Sequence, residues 1–141
     1  MDLEQEKAEL LKLLDMSYLS HFESDAVKFL TPYAPQWYSV RDGTVTIRHK
    51  EEVFPDVDHY FKSMGFLEFV LTRPLKVELS KDASMAWVIG EVQARAMQKQ
   101  PDTTEKEVAF RCSWVEIYEK QDARWAAVVN ASSFVFPNEG E

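Results

Sequence analysis

Residues 106–135 read KEVAFRCSWVEIYEKQDARWAAVVNASSFV. Two long runs, about 106–119 and 123–135, flank a polar turn at Lys120-Gln121-Asp122-Ala123. β-Branched and aromatic runs joined by such a turn read as neighbouring antiparallel strands. Alternation puts Val108, Phe110, Cys112, Trp114 and Glu116 on one face of the first run, and Ala109, Arg111, Ser113, Val115 and Ile117 on the other. In the second run Ala126, Val128, Asn130 and Ser132 alternate with Trp125, Ala127, Val129 and Ala131. Both faces are mostly apolar, whereas a sheet wetted on one side alternates apolar with polar. One face therefore needs helices and a pocket as cover. The other needs a partner subunit, so a homodimer is expected.

Upstream, about 66–72, 75–80 and 84–97 also read as strands, with a turn at Ser80-Lys81-Asp82-Ala83 and a longer loop from Gln98 to Thr104. Gly90, inside a strand, marks a bulge or bend. Before them come helical patterns. Residues 2–22 place Leu3, Leu10, Leu14 and Tyr18 near one face, opposite Glu4, Glu6, Lys7, Glu9 and Lys12. Ser24-Asp25 caps a short helix at 25–31, ended by Thr31-Pro32 because the residue before proline is pushed out of the α region. Trp37-Tyr38-Ser39-Val40 and Thr44-Val45-Thr46-Ile47 flank Arg41-Asp42-Gly43, a strong hairpin signal. Residues 50–64 suggest a third helix, in which Pro55 fits best as a first residue. Three helices ahead of a run of strands make an α+β fold, in one domain over 1–136 with a fraying tail at 137–141.

The chain has 141 residues and a formal net charge of −8, one compact domain by length. The acidic excess argues against nucleic acid and against an anionic membrane as partners. No apolar run reaches the roughly 18–20 residues of a transmembrane helix. The acidic start Met1-Asp2-Leu3-Glu4 is no signal peptide, although a chain trimmed of one would read the same. The single cysteine, Cys112, forms no internal disulfide, so nothing demands an oxidising compartment and a cytoplasmic location is expected. Aromatic residues make up 13% of the chain, a share on the rich side.

The order of these elements resembles the NTF2-like superfamily, and within it the SnoaL-like, DUF4440-type branch. The residues that carry the likeness are Ser24-Asp25-Ala26, Trp37-Tyr38-Ser39-Val40 with Asp42-Gly43, Ser113-Trp114, and Arg124-Trp125 followed by Ser132-Ser133. The likeness spans about residues 5–135. It implies a cone-shaped, strongly curved mixed or antiparallel sheet, closed at one end by the helices around a largely apolar pocket, and dimers formed through the convex face. Members include isomerases, dehydratases, cyclases and proteins of no assigned activity, so the fold alone gives no function.

The resemblance places Phe110, Cys112, Trp114, Val128, Asn130 and Ser132 on the concave side. With Tyr18, Phe22, Tyr38 and Tyr60 they would line a pocket for a small, mostly apolar ligand. Tyr18 falls where isomerase-like relatives hydrogen-bond a substrate carbonyl, or it is a core tyrosine with a backbone partner. Those relatives need a carboxylate near the end of the first strand, where this chain reads Tyr38-Ser39-Val40-Arg41. Asp42 serves the turn, and their second carboxylate falls near Trp114. An enzyme moving protons beside a carbonyl would have only His21, Glu91 and Glu116 to work with. An epoxide-hydrolase mechanism would need a polar Asp/Arg/Asp cluster; Glu91, Arg95 and Arg111 are available, but alternation turns at least Arg111 away from the pocket face.

His49, Asp56, Asp58 and His59 match no strong zinc spacing and read as solvated helix surface. Cys112 reads as a small apolar residue rather than a nucleophile. No Gly-rich phosphate loop, nucleophile elbow or HExxH is present, so neither cofactor nor metal is expected. The expectation is a binding domain. The alternatives are a SnoaL or ketosteroid-isomerase-like enzyme, and a dimerisation module whose pocket is filled.

Overall fold

A computed structural model describes residues 2–137. Its elements run α1 (Leu3–Glu23), α2 (Ala26–Leu30), β1 (Tyr33–Arg41), β2 (Thr44–His49), α3 (Lys50–Ser63), β3 (Met64–Leu71), β4 (Lys76–Leu79), β5 (Met85–Lys99), β6 (Glu105–Gln121) and β7 (Arg124–Val135). Apart from Pro137, the tail at 137–141 lies outside the described residues.

The seven-stranded curved sheet has the order β2-β1-β7-β6-β5-β3, with β4 also pairing β5. All pairs are antiparallel except β1 with β7, which is parallel. That makes an α+β fold on a mixed sheet. The hairpin between β1 and β2 turns at Asp42 and Gly43, both at positive φ (53° and 78°), as a type I′ turn requires.

Local chemistry sets the helix ends. The Asp2 carboxylate accepts from the Glu4 and Gln5 amides and caps α1, and the Asp25 carboxylate accepts from Lys28 N and caps α2. α2 stops at Leu30, but Thr31 stays in the right-handed helical region (φ −54°, ψ −42°) despite Pro32. Its amide and its hydroxyl both donate to the Val27 carbonyl. α3 starts at Lys50, not near Pro55, and carries that proline inside. The cost is one backbone bond near its first turns.

α1 is tied to the sheet by Trp125, whose indole Nε1 donates to the Glu6 carbonyl at 3.1 Å, and by Lys120, which ion-pairs Glu6. One apolar cluster joins Leu10 and Leu14 of α1 with Leu30, Val53, Val88, Tyr118 and Ala127. A second joins Met64, Phe69, Val92, Ala94, Ala96 and Phe110, with Tyr18, Trp114 and Phe134 packed against it.

Three strand assignments change. β1 begins at Tyr33 rather than Trp37: its first residues pair with β7 and the register then slips between Tyr33 and Tyr38. β7 slips opposite Ile117 and Tyr118, which pair with Val129 and Ala127 and leave Val128 without a β6 partner. Trp125 and Ala127, not Ala126 and Val128, therefore share the helix-covered face with Asn130 and Ser132, because one extra residue reverses alternation. Gly90 is no bulge, since β5 and β6 pair without a slip from Met85 to Lys99. A Cβ on Gly90 would overlap the Trp114 indole and lie 2.8 Å from Leu75 Cδ2. Gly90→Ala is expected to cost about 1–3 kcal/mol, as overpacked core sites do. An unchanged urea midpoint would show that the indole moves aside freely.

Candidate functional site

The inner face of the sheet carries a polar track at right angles to the strands. Glu116 of β6 pairs with Asn130 of β7, Asn130 with Ser39 of β1, and Ser39 with Thr46 of β2. The neighbouring pairs Trp37–Arg48 and Arg41–Thr44 lie on the same face of the hairpin. Phe29 and Leu30 of α2 and Val53 and Val57 of α3 face them. The result is an open cavity of about 410 Å³ lined by these side chains, Glu116 excepted, together with Tyr33 and Asp42.

At its floor, Glu116 is buried and accepts three hydrogen bonds. Tyr33 OH donates to Oε2 at 2.7 Å, Asn130 Nδ2 to Oε2 at 3.1 Å, and Tyr118 OH to Oε1 at 3.0 Å. Asn130 Nδ2 also reaches the Tyr33 hydroxyl oxygen at 3.2 Å. Burial pushes the Glu116 carboxyl above its ordinary value against the three donors, which pull it down. The same burial, with Glu116 alongside, pushes the Tyr33 and Tyr118 phenols well above theirs. Tyr33 and Asn130 line the cavity while Glu116 sits behind them. The floor therefore presents an amide and a phenol oriented by a carboxyl.

Sequence reasoning put Glu116 and Asn130 on this face but missed Tyr33 and Tyr118. Tyr118 shares the alternation of Glu116 two residues on, a signal that was there to read. Tyr33 was hidden by the misplaced start of β1.

The other named residues scatter. Phe110 is buried, and Cys112, Trp114 and Ser132 are half-buried on the same inner face. They lie toward the second apolar cluster rather than around the cavity. Burial pushes the Cys112 thiol up to about 11, away from thiolate chemistry. Tyr60 is similarly pushed up, first by burial. Tyr18 stacks edge-on with Phe22 and tilts against Phe69. Phe22 remains exposed. Tyr38 is a correction: it pairs with Val129 on the outer face and is exposed there, because β1 resumes after its slip with Trp37, Ser39 and Arg41 facing in.

Glu91, Arg95 and Arg111 also lie on the outer face. The Thr72 hydroxyl donates to Glu91, and Arg95 pairs Glu107 at 2.7 Å. Neither an epoxide-hydrolase cluster nor a Glu91 base faces the cavity. His21 is boxed by Phe29, Phe61, Phe66 and Phe69, stacked on the last at 3.9 Å between ring centres. Its Nδ1–H donates to the Ser17 carbonyl at 2.9 Å, and burial pushes its pKa down to about 4. His49 stands at the N-cap of α3, and Asp58 pairs Lys62. Among the described residues no group of three or more His, Cys, Asp or Glu is placed to hold a metal ion. None of their helices is long and apolar enough to cross a membrane.

No protein-family model matches the chain, and no curated protein matches it. Solved structures do. A ketosteroid isomerase-like protein from Erwinia carotovora atroseptica superposes with a TM-score of 0.66 at 13% identity, over 92% of this chain and 96% of that one. An NTF2-like protein of unknown function from Pseudomonas putida gives 0.64 at 16% identity, over 99% and 92%. An NTF-2-like protein of unknown function from Shewanella oneidensis gives 0.58 at 17%, over 90% and 98%. The mixed curved sheet, its helical cover and these superpositions agree on one architecture: the chain has the NTF2-like fold.

Proposed function

We propose that this chain is a small-molecule-binding protein of the NTF2-like fold, of the SnoaL-like, DUF4440-type branch suggested by Trp37-Tyr38 and Arg124-Trp125, and that it works as a homodimer. The observation that carries the binding reading is the open cavity whose floor offers oriented hydrogen-bonding groups but no free base. Its only buried carboxyl stands behind Tyr33 and Asn130 and is already bonded by three donors. The one lining carboxylate, Asp42, is exposed in the hairpin turn. Phe29, Leu30, Trp37, Val53 and Val57 give the cavity an apolar side, and the polar side chains of the sheet give it groups that fix orientation, a mixture that suits a small amphipathic ligand.

The isomerase-like alternative has one observation in its favour. The raised Glu116 carboxyl touches Tyr33, so a proton leaving the cavity floor could reach it through that hydroxyl.

The dimer reading is supported by the outer face. Two rows run across five strands: Trp87–Ile117–Val129–Tyr38–Ile47 and Ile89–Val115–Ala131–Val40–Val45. All ten side chains are apolar or aromatic, and Trp87, Ile89 and Val115 are 41, 42 and 40% exposed. At about 4.8 Å per strand the band is roughly 20 Å long, a contiguous apolar patch that marks an interaction surface. A second copy matches it by two-fold symmetry, row against row.

Native mass spectrometry tests both readings. The expected spectrum shows a dimer that carries a small organic molecule or takes one up. Trp87→Glu is expected to give monomer. A wild-type monomer at micromolar concentration would refute the dimer, and a cavity that takes up no molecule would refute the binding reading.

A further inference from the structure

We infer that the cavity selects an organic anion: a carboxylate carried on a flat apolar body, held by Arg48 and Arg41. The inference rests on the binding reading above and names its ligand class.

The chain is acidic overall, with 24 Asp and Glu against 16 Lys and Arg, yet the cavity lining holds two arginines and a single carboxylate. Arg48 is half-buried beside Trp37. Among the described residues it forms no ion pair. Arg41 pairs only with its chain neighbour Asp42, at a long 3.7 Å in the exposed turn. Its guanidinium lies 4.2 Å from the centre of the Phe134 ring, which holds it toward the inner face.

A half-buried guanidinium with no carboxylate partner has its fork of donors free. That fork matches a carboxylate in two parallel bonds, an arrangement an ammonium does not reproduce. Ser39, Thr44 and Thr46 supply hydroxyls on the same surface of the hairpin. Trp37 beside them, and Phe29, Val53 and Val57 opposite, make apolar surfaces for a ring. Deeper in, Asn130 and Tyr33 meet the far end of the ligand, where the buried Glu116 disfavours a second negative charge. The cavity is thus cationic at its mouth, apolar along its wall and anion-averse at its floor. A monoanion with its charge at one end fits that gradient; a dianion charged at both ends does not.

The test is isothermal titration of the full chain with naphthoate and with naphthamide, its neutral isostere. The wild type is expected to bind the carboxylate about tenfold more tightly than the amide, with added salt weakening only the carboxylate. Arg48→Gln is expected to erase that preference and leave amide affinity unchanged. Arg48→Lys, which keeps charge but loses the fork, is expected to fall between. Arg41→Gln gives a second reading at the same mouth if Arg48→Gln melts early. Arg95→Gln, on the outer face, should keep the preference. Equal affinity for the two probes in the wild type overturns the inference while the binding reading stands, as does a preference that survives both cavity substitutions. Binding of neither probe overturns the anion inference and counts against the binding reading itself.

Discussion

Glu116→Leu is expected to lower the unfolding free energy by roughly 2–4 kcal/mol, because removing one member of a buried polar cluster strands the others. The loss concentrates on Tyr118. Tyr33 and Asn130 border the cavity and can turn to water, whereas Tyr118 is 1% exposed and among the described residues its hydroxyl has no other partner. The double variant Glu116→Leu with Tyr118→Phe should therefore recover about 1 kcal/mol. Glu116→Gln keeps the shape and removes the charge. At neutral pH it is expected to fall within about 1 kcal/mol of wild type, since the buried carboxylate is itself disfavoured. The pH dependence separates the two. Burial raises the folded pKa of Glu116 above its ordinary 4.5. Its contribution is thus fully present below that value and is lost as pH rises through the folded one. Urea melts across that window should slope down for wild type relative to Glu116→Gln. Parallel curves would mean that the carboxyl carries no excess burial cost. A Glu116→Leu variant as stable as wild type would mean that the three donors have other partners.

Acidification should act on His21 in the opposite direction. Folding holds this imidazole neutral among four phenylalanine rings, with its pKa pushed from 6.5 to about 4 by burial. The stability it contributes is complete above 6.5 and is lost as pH falls toward 4, a drop of about 3 kcal/mol at 1.36 kcal/mol per unit. None of the ring's aromatic neighbours is charged, so no partner softens the loss. His21→Phe keeps an aromatic in the box, gives up the bond to the Ser17 carbonyl and should flatten the melting profile between those limits. Depressed carboxylates such as Asp82, held down to about 2 by the Ser84 and Ser80 hydroxyls, begin to protonate only lower. The difference between wild type and His21→Phe therefore isolates the histidine. Equal slopes would show that water reaches the ring.

Much of the architecture was written in short-range chemistry. The Asp-Gly turn, the Asp25 cap and the alternation of β6 are local, and each was readable from neighbouring residues. Alternation correctly grouped Glu116 with Phe110, Cys112 and Trp114, and Asn130 stood out as a polar residue in an apolar run. The failures share one cause. Residues 33–36, with Pro35 and Gln36, carry no strand pattern of their own, because the partner that makes them a strand, β7, lies nearly a hundred residues away and pairs in parallel. The slip at Val128 follows from pairing with β6 and has no local signature. Gly90 read as a bulge or bend; the slip-free β5–β6 ladder excludes the bulge, and nothing local shows the Trp114 indole above it.

By itself, the sequence determined the order of helices and strands, the apolar outer face and the side on which Glu116 lies, because periodicity of two residues settles facing within a strand. Only the tertiary structure decided what meets Glu116, that Tyr38 faces outward, and that Arg41, Arg48, Phe29 and Val53 enclose one cavity. Those outcomes depend on register between distant strands and on where helices land on the sheet, and a shift of one residue reverses every facing side chain.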